Sequence, residues 1–379
     1  MKTIWIFAGE ASGDLYGARL ARELRRQAPG LRLQGMGGRA MHEAGVELLV
    51  DSSDLGVIGL VEVLKQIRTF WRLFHGLVRR AAAERPAAVV LIDYPGFNLR
   101  FAQRMLPMGV PVAYYISPQV WAWGKRRIPQ IARTVRKMLT IFPFESAVYA
   151  GSGLDVEFVG HPLLEILAER RDAALVRDPR RILLLPGSRA REIDSLLPDL
   201  VRTAGRLHQR HPELHFVLAT PDERIAARCR QRLAAFPEGA GLPLEIVVGE
   251  THAQMQLAGT GLAASGTVTM EAAILGLPLV VVYRVNCLTY WLGRLLVRLP
   301  FFCIVNLVAG RRVFAEFLQG DVRSEVLAPA LEAILPGGPR RAEVEAGMAE
   351  AVSRLGGREP SSARAAAAVL ALAGGGAPE

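Results

Sequence analysis

Short, largely apolar runs, each followed by a turn and a helical pattern, constrain this chain most. Thr3–Ala8 (TIWIFA), Ala87–Ile92, Pro111–Ile116, Met138–Phe142 and Val156–Val159 each read as a strand. A strand without polar alternation is covered on both faces, which a parallel sheet flanked by helices provides. The first helix is expected over roughly Gly13–Gln27. A polar, charged stretch, Arg171–Arg181, reads as a linker, and the pattern then restarts. Ile182–Leu185, His215–Leu218, Glu245–Val248, Leu262–Ala264 and Leu279–Tyr283 form the second set. The expected fold is α/β, with two doubly wound Rossmann-like domains facing a cleft. The expected division is 1–172, 173–345, and 346–379 as a closing helix and frayed tail free to return to the first domain. A length of 379 residues suits two or three domains.

Composition narrows the class. Hydrophobic residues make up 51% and charged residues 22%, enough apolar material for full cores. The net charge of +10 suits an anionic partner: nucleic acid, phosphorylated metabolites or an anionic membrane face. The basic residues are dispersed and no nucleic-acid motif appears, so no nucleic-acid partner is expected. Cys229, Cys287 and Cys303 are too few and scattered for a disulfide framework or zinc site, as in a reducing cytoplasm. Glu10 and Asp14 interrupt the N-terminal apolar stretch before a signal-peptide core fits. The longest uncharged run, Met105–Gly124, is broken by Pro107, Pro111 and Pro118 and reads as strand and loop.

Four turns gather chemistry. The first strand runs into Gly9-Glu10-Ala11-Ser12-Gly13-Asp14, which is neither G-x-G-x-x-G nor a P-loop. It places two acids at a strand C-terminus; the structural alternative is a helix cap by Ser12 or Asp14. Asp93 follows a strand, and Pro95-Gly96 turns the chain so that its carboxylate faces the crevice beyond the sheet. It is a general-base candidate or an Asx-turn acid. Pro186-Gly187-Ser188-Arg189 opens a helix near Glu192, where turn amides, a positive dipole end and a guanidinium suit phosphate binding; the structural alternative is a plain N-cap with a solvated Arg. Ser265-Gly266-Thr267 opens another helix, with Glu271 one turn in, as a ribose-diol acceptor or a capping-box acid.

No D-x-D occurs, so Arg and helix dipoles rather than carboxylate-held Mg²⁺ are expected to hold a leaving diphosphate. His208, His211 and His215 are split by Pro212, and neither a metal nor a cofactor is expected. Leu60, Leu64, Ile67, Trp71, Phe74 and Val78 follow helical spacing beside Lys65, Arg68, Arg72, Arg79 and Arg80. Tyr290–Phe302 is apolar except for Arg294 and Arg298. Each is a packed helix or a basic amphipathic helix on anionic lipid.

Taken together, AGEASGD (8–14), GLVEVL (59–64), DYPGFN (93–98), YYISPQVWAWGKRRI (114–128), FPFE (142–145), FVGHPL (158–163), LLPGSRAREI (184–193), SGTVTMEA (265–272) and NLVAGRRVFAEFLQ (306–319) resemble the lipid-A-disaccharide synthases. These are bacterial glycosyltransferases of lipid A synthesis. The resemblance implies a glycosyltransferase-B fold and transfer of 2,3-diacylglucosamine from its UDP derivative to 2,3-diacylglucosamine 1-phosphate (lipid X). UDP and a β-1,6-linked disaccharide would form with inversion, at the cytoplasmic face of the inner membrane, by a peripherally attached enzyme.

Carried over by motif, Asp93 leads the catalytic carboxylates, with Glu10 and Asp14 beside it. Gly187, Ser188, Arg189, Ser265, Gly266, Thr267 and Glu271 fall on the UDP side. Ser12, Asn98, Ser117, Gln119, Trp121, His161 and Asn306 fall on the acceptor side or nearby. This chain has Gly96 where relatives more often carry an acid, which concentrates the base role on Asp93. It also has Val313-Phe314 where they often differ. The alternatives left open are a UDP-N-acetylglucosamine-dependent transferase acting on a polyprenyl-linked acceptor and a non-catalytic lipid-binding relative. Monomer or homodimer is also open.

Overall fold

The computed structural model describes residues 2–52, 60–236, 241–284, 300–357 and 359–374, and of 60–69 and 123 the backbone alone. The chain divides into two compact units, one ending at Pro162 and resuming at Gly356, the other Leu163–Leu355.

The first unit is a seven-stranded parallel sheet: β1 (Thr3–Ala8), β2 (Arg32–Gly37), β3 (Glu47–Asp51), β4 (Ala88–Ile92), β5 (Val112–Tyr115), β6 (Lys137–Thr140) and β7 (Asp155–Phe158). The spatial order is β3-β2-β1-β4-β5-β6-β7. Helices α1 (Ala11–Gln27), α2 (Arg39–Glu43), α3 (Leu60–Glu84), α4 (Pro95–Met105), α5 (Val120–Trp123), α6 (Ile128–Thr134) and α7 (Glu145–Val148) link them. Among the strands, β1, β4 and β5 are the most completely buried, as their unbroken apolar runs require. Trp5, Phe7, Phe97, Phe101 and Tyr114 fill the core, with Phe7 and Phe101 ring centres 4.7 Å apart.

The second unit holds α8 (Leu163–Arg170), β8 (Asp178–Leu185), α9 (Ala190–Arg210), β9 (His215–Thr220), α10 (Glu223–Ala234), β10 (Leu244–Val248), α11 (Thr251–Leu257), β11 (Ala258–Ala264), α12 (Thr267–Ile274) and β12 (Leu279–Tyr283). After these come α13 (Ile304–Ala309), β13 (Ala315–Leu318), α14 (Ser324–Glu332) and α15 (Arg341–Ser353). Its six strands, all parallel, are ordered β10-β9-β8-β11-β12-β13. The last helix, α16 (Ser361–Gly374), packs on α1 of the first unit. There Gln27 Nε2 donates to Ala363 O at 3.1 Å.

Three strands carry too weak a pattern to be foreseen. Gly35 and Gly37 dilute β2, while β3 and β13 are short with charged residues. The stretch expected as a linker, 171–181, falls within the second unit. Arg177 donates to the carbonyls of Met255, Ala258 and Leu275, and β8 begins at Asp178. The 105–124 run contains β5 and α5, and among the described residues no helix is long and apolar enough to cross a membrane. Residues 290–299, singled out for their apolar pattern, and Cys287 lie outside the described residues.

Candidate functional site

Each sheet reverses its winding direction once, and Glu10, Asp93, the Gly187–Arg189 turn and the Ser265–Glu271 segment lie at the two reversals, whereas Ser117, Gln119, Trp121, His161 and Asn306 lie elsewhere. In the first unit the chain runs outward from β1 to β3, then returns to β4 and runs the other way. Ala8 pairs with Ile92, so the β1 turn carrying Gly9-Glu10 and the β4 turn carrying Asp93-Tyr94 emerge side by side. In the second unit β8 and β11 are the neighbours at the reversal, with Leu185 opposite Ala263. The Gly187–Arg189 and Ser265–Glu271 turns therefore emerge together. Crevices at such switch points, beyond the carboxyl ends of the strands, are where ligands bind open α/β sheets.

Asp93 sits in a contorted turn. Its φ is +46° and that of Tyr94 is +44°, both left-handed and uncommon outside glycine. Three hydrogen bonds from two side chains hold it there. Asn98 Nδ2 donates to Asp93 O at 2.7 Å and to Ile92 O at 3.1 Å, and the Tyr114 hydroxyl donates to Asp93 O at 2.6 Å. The Tyr94 ring lies against Gly9, where any Cβ would overlap it. Burial, and then the Glu10 charge, push the Asp93 carboxyl from its usual 3.8 up to about 6. A carboxyl so poised is suited to accepting a proton near neutral pH. Glu10 is exposed at the start of α1.

Other acids and polar groups of the first unit have structural tasks. Asp14 is buried, and its carboxylate accepts from the amides of Gly38, Ala40 and Met41 at 2.7, 2.9 and 3.1 Å. It closes the start of α2. Neither Asp14 nor the exposed Ser12 caps α1. Asn98, wholly buried, staples the Asp93 turn.

Ser117 bonds Tyr149 Oη at 2.8 Å, and Gln119 is exposed at the start of α5. Trp121 Nε1 donates to Glu145 Oε1 at 3.2 Å, while Glu145 Oε2 accepts the amides of Ile141 and Phe142. Burial pushes Glu145 up to about 7. Its FPFE segment was legible, but its role as the anchor of Trp121 was not. His161 is buried beside Phe142, and burial pushes it down to about 3, which keeps it neutral.

In the second unit, Gly187 takes φ +116° and a Cβ there would strike the Glu192 carboxylate. Glu192 Oε2 accepts from the amides of Ser188 and Arg189 at 3.0 and 3.3 Å, and Oε1 meets the Arg189 guanidinium at 3.2 Å. The Arg189 side chain is 82% exposed. Ser265 Oγ reaches Phe302 O, Gly266 precedes α12, and Thr267 is exposed in its first turn.

Glu271 makes no capping box; its Oε2 lies 3.0 Å from His252 Nε2, a partner that local sequence did not reveal. Asn306 is buried, with Oδ1 accepting the amides of Val313 and Phe314 and Nδ2 donating to Phe314 O. Its side chain thus closes the turn before β13. Of the three histidines considered as a cluster, His208 meets Leu214 O, His211 faces Glu213 and Glu332, and His215 faces Asp178. A cavity of about 880 Å³ lies against α16 in the first unit, and no candidate residue lines it.

The family model for lipid-A-disaccharide synthetase matches residues 4–371. The lipid-A-disaccharide synthase of Myxococcus xanthus (strain DK1622) is 40% identical over 377 residues, covering 97% of each chain. That of Koribacter versatilis (strain Ellin345) is 40% identical over 384 residues, covering 98% of this chain and 99% of the relative. Among solved structures, the UDP-GlcNAc 2-epimerase of Neisseria meningitidis bound to UDP-GlcNAc superposes with a TM-score of 0.66 at 12% identity, covering 98% of this chain and all of that one. Acinetobacter baumannii MurG superposes at 0.56 and 14% identity, with 98% and 100% coverage. These likenesses fit the two Rossmann-like units to the glycosyltransferase-B fold, and the match along nearly the whole sequence makes the chain a member of the lipid-A-disaccharide synthetase family of glycosyltransferases.

Proposed function

We propose that the chain transfers 2,3-diacylglucosamine from UDP-2,3-diacylglucosamine to the 6-hydroxyl of 2,3-diacylglucosamine 1-phosphate, releasing UDP and forming the β-1,6-linked disaccharide 1-phosphate. The observation that carries this reading is a raised carboxyl at one switch point and amides with a guanidinium at the other. Asp93 takes the acceptor proton as the hydroxyl attacks the face opposite the leaving group, so an α-linked donor gives a β-linked product. The amides of the Gly187–Arg189 turn, the Arg189 guanidinium and the start of α12 after Gly266 meet the charge growing on UDP. Glu271 accepts from the ribose hydroxyls. Removing one donor from such a charge-stabilising site typically costs about 10²–10³ in rate, so Arg189→Ala is expected to lose at least about tenfold in turnover.

Both substrates carry two acyl chains. Each buried methylene contributes about 0.8 kcal/mol, so they stay in the bilayer and the enzyme works at its surface. We assign that contact to α3 at the cytoplasmic face of the inner membrane. Trp71 is 65% exposed, with Arg72, Arg79 and Arg80 exposed along the same helix. Mass spectrometry of the product from UDP-2,3-diacylglucosamine plus lipid X tests the transfer. A disaccharide 1-phosphate with stoichiometric UDP supports it; UDP release without the disaccharide, or no release, overturns it.

A further inference from the structure

We propose that His252 is a positioning residue for the donor nucleotide: it holds the Glu271 carboxylate in the orientation that accepts the ribose hydroxyls, and Arg170 holds the His252 ring. The inference rests on the assignment of Glu271 to the ribose. His252 and Glu271 are nineteen residues apart, on α11 and α12, with side chains 23% and 20% exposed. His252 Nδ1 lies 2.8 Å from Arg170 Nη1, at the end of α8. A guanidinium has only donors, so Nδ1 is the acceptor in that pair. The ring hydrogen is therefore on Nε2, where Glu271 Oε2 accepts it at 3.0 Å. Both ring nitrogens are used, which fixes the tautomer and the ring plane together.

The support beneath this chain is also tied. Gln256, one turn after His252, donates through Nε2 to the carbonyls of Arg170 and His252, and its Oε1 accepts the Asp172 amide. The end of α8 is thus fastened to α11 by the Gln256 side chain as well as by the Arg170 side chain. The imidazole takes one of the roughly four lone-pair positions of the Glu271 carboxylate and leaves the others for a diol. A carboxylate held this way meets a ribose without first losing rotamer freedom.

The test is UDP titration by calorimetry on the full chain, with thermal unfolding as a check on the fold. Glu271→Ala should weaken UDP binding, and His252→Ala should weaken it about 3- to 10-fold. His252→Gln, which restores a donor toward Glu271, should recover most of that loss. In the Glu271→Ala background, His252→Ala should add nothing. With 2′,3′-dideoxyuridine 5′-diphosphate, which lacks the diol, His252→Ala should bind as the parent does. If His252→Ala does not fold, Arg170→Ala, at an exposed helix end, carries the same comparisons with a smaller loss. Parent-like UDP binding by Glu271→Ala would overturn the ribose assignment, and this inference with it. A weakened Glu271→Ala beside a parent-like His252→Ala, or an undiminished His252→Ala loss in the double variant, would overturn the positioning role alone.

Discussion

The Glu192 carboxylate lies 3.0 Å from the amide nitrogen of Ser188, so the turn proposed to hold a diphosphate already holds an anion of its own chain. The same oxygen accepts from Arg189 N at 3.3 Å. A diphosphate reaching these amides competes with that carboxylate. Glu192→Gln, which removes the charge and keeps the length, is expected to tighten UDP binding about 3- to 10-fold. It should also lower helix stability by about 0.3–1 kcal/mol through loss of an acid at the start of α9. Calorimetric titration checks the first effect and thermal unfolding the second; weaker UDP binding would mean that the carboxylate assists the nucleotide.

Asp93→Asn separates catalysis from stability. Asparagine tolerates the left-handed backbone of this turn and cannot take a proton. Transfer should fall nearly to background. Above pH 6 the parent holds a carboxylate that burial disfavours, so the variant should be more stable, by about 1–3 kcal/mol. A variant that is inactive and less stable would indicate a structural role for the charge; an active one would remove Asp93 as base.

The pH profile follows from the same carboxyl. It accepts a proton only when ionised, and its value is pushed up to about 6. Transfer at subsaturating substrate should fall about tenfold per pH unit below that value and level off above it. The stability contribution runs the opposite way. The folded value lies above the ordinary 3.8, so the native state binds the extra proton between the two values and stability from this group declines as pH rises through that window. A flat rate between pH 5 and 7 would contradict the assignment.

Gly9→Ala tests the geometry around the base without touching it. A Cβ at Gly9 overlaps the Tyr94 ring and displaces the turn that carries Asp93. Misplacement on the order of 1 Å can cost about 100-fold, so turnover should fall about 10- to 100-fold while UDP binding to the other unit holds. Crystallography of the variant would show whether Tyr94 has moved, and unchanged turnover would dissociate the Tyr94 packing from catalysis.

Charge reversal at Arg72 and Arg79, and at Arg68 earlier in the same helix, should weaken binding to vesicles of anionic lipid. The loss should be larger at low salt, because screening suppresses these attractions as ionic strength rises. Sedimentation with vesicles checks this, and equal binding by variant and parent would move the lipid contact elsewhere.

The sequence alone determined what is local. TIWIFA and AAVVLI are apolar but for Thr3 because both faces of a central parallel strand are buried, and ten strands follow from short, largely apolar runs. The family motifs likewise put Asp93, Arg189 and Glu271 in view before any coordinates. What the sequence could not decide is which distant groups meet. Asp14 was legible as an acid in a motif, yet its carboxylate accepts the amides of Gly38, Ala40 and Met41, which folding brings to it. The His252 partner of Glu271, the Trp121 anchor on Glu145 and the placing of Gly9 under Tyr94 arise the same way. Parallel pairing is non-local: the order of strands, and hence the two switch points, is fixed only when crossover helices fold back on each sheet. Hydrophobic periodicity records which face of a segment is buried, while the neighbours of its polar groups are set by the tertiary pairing.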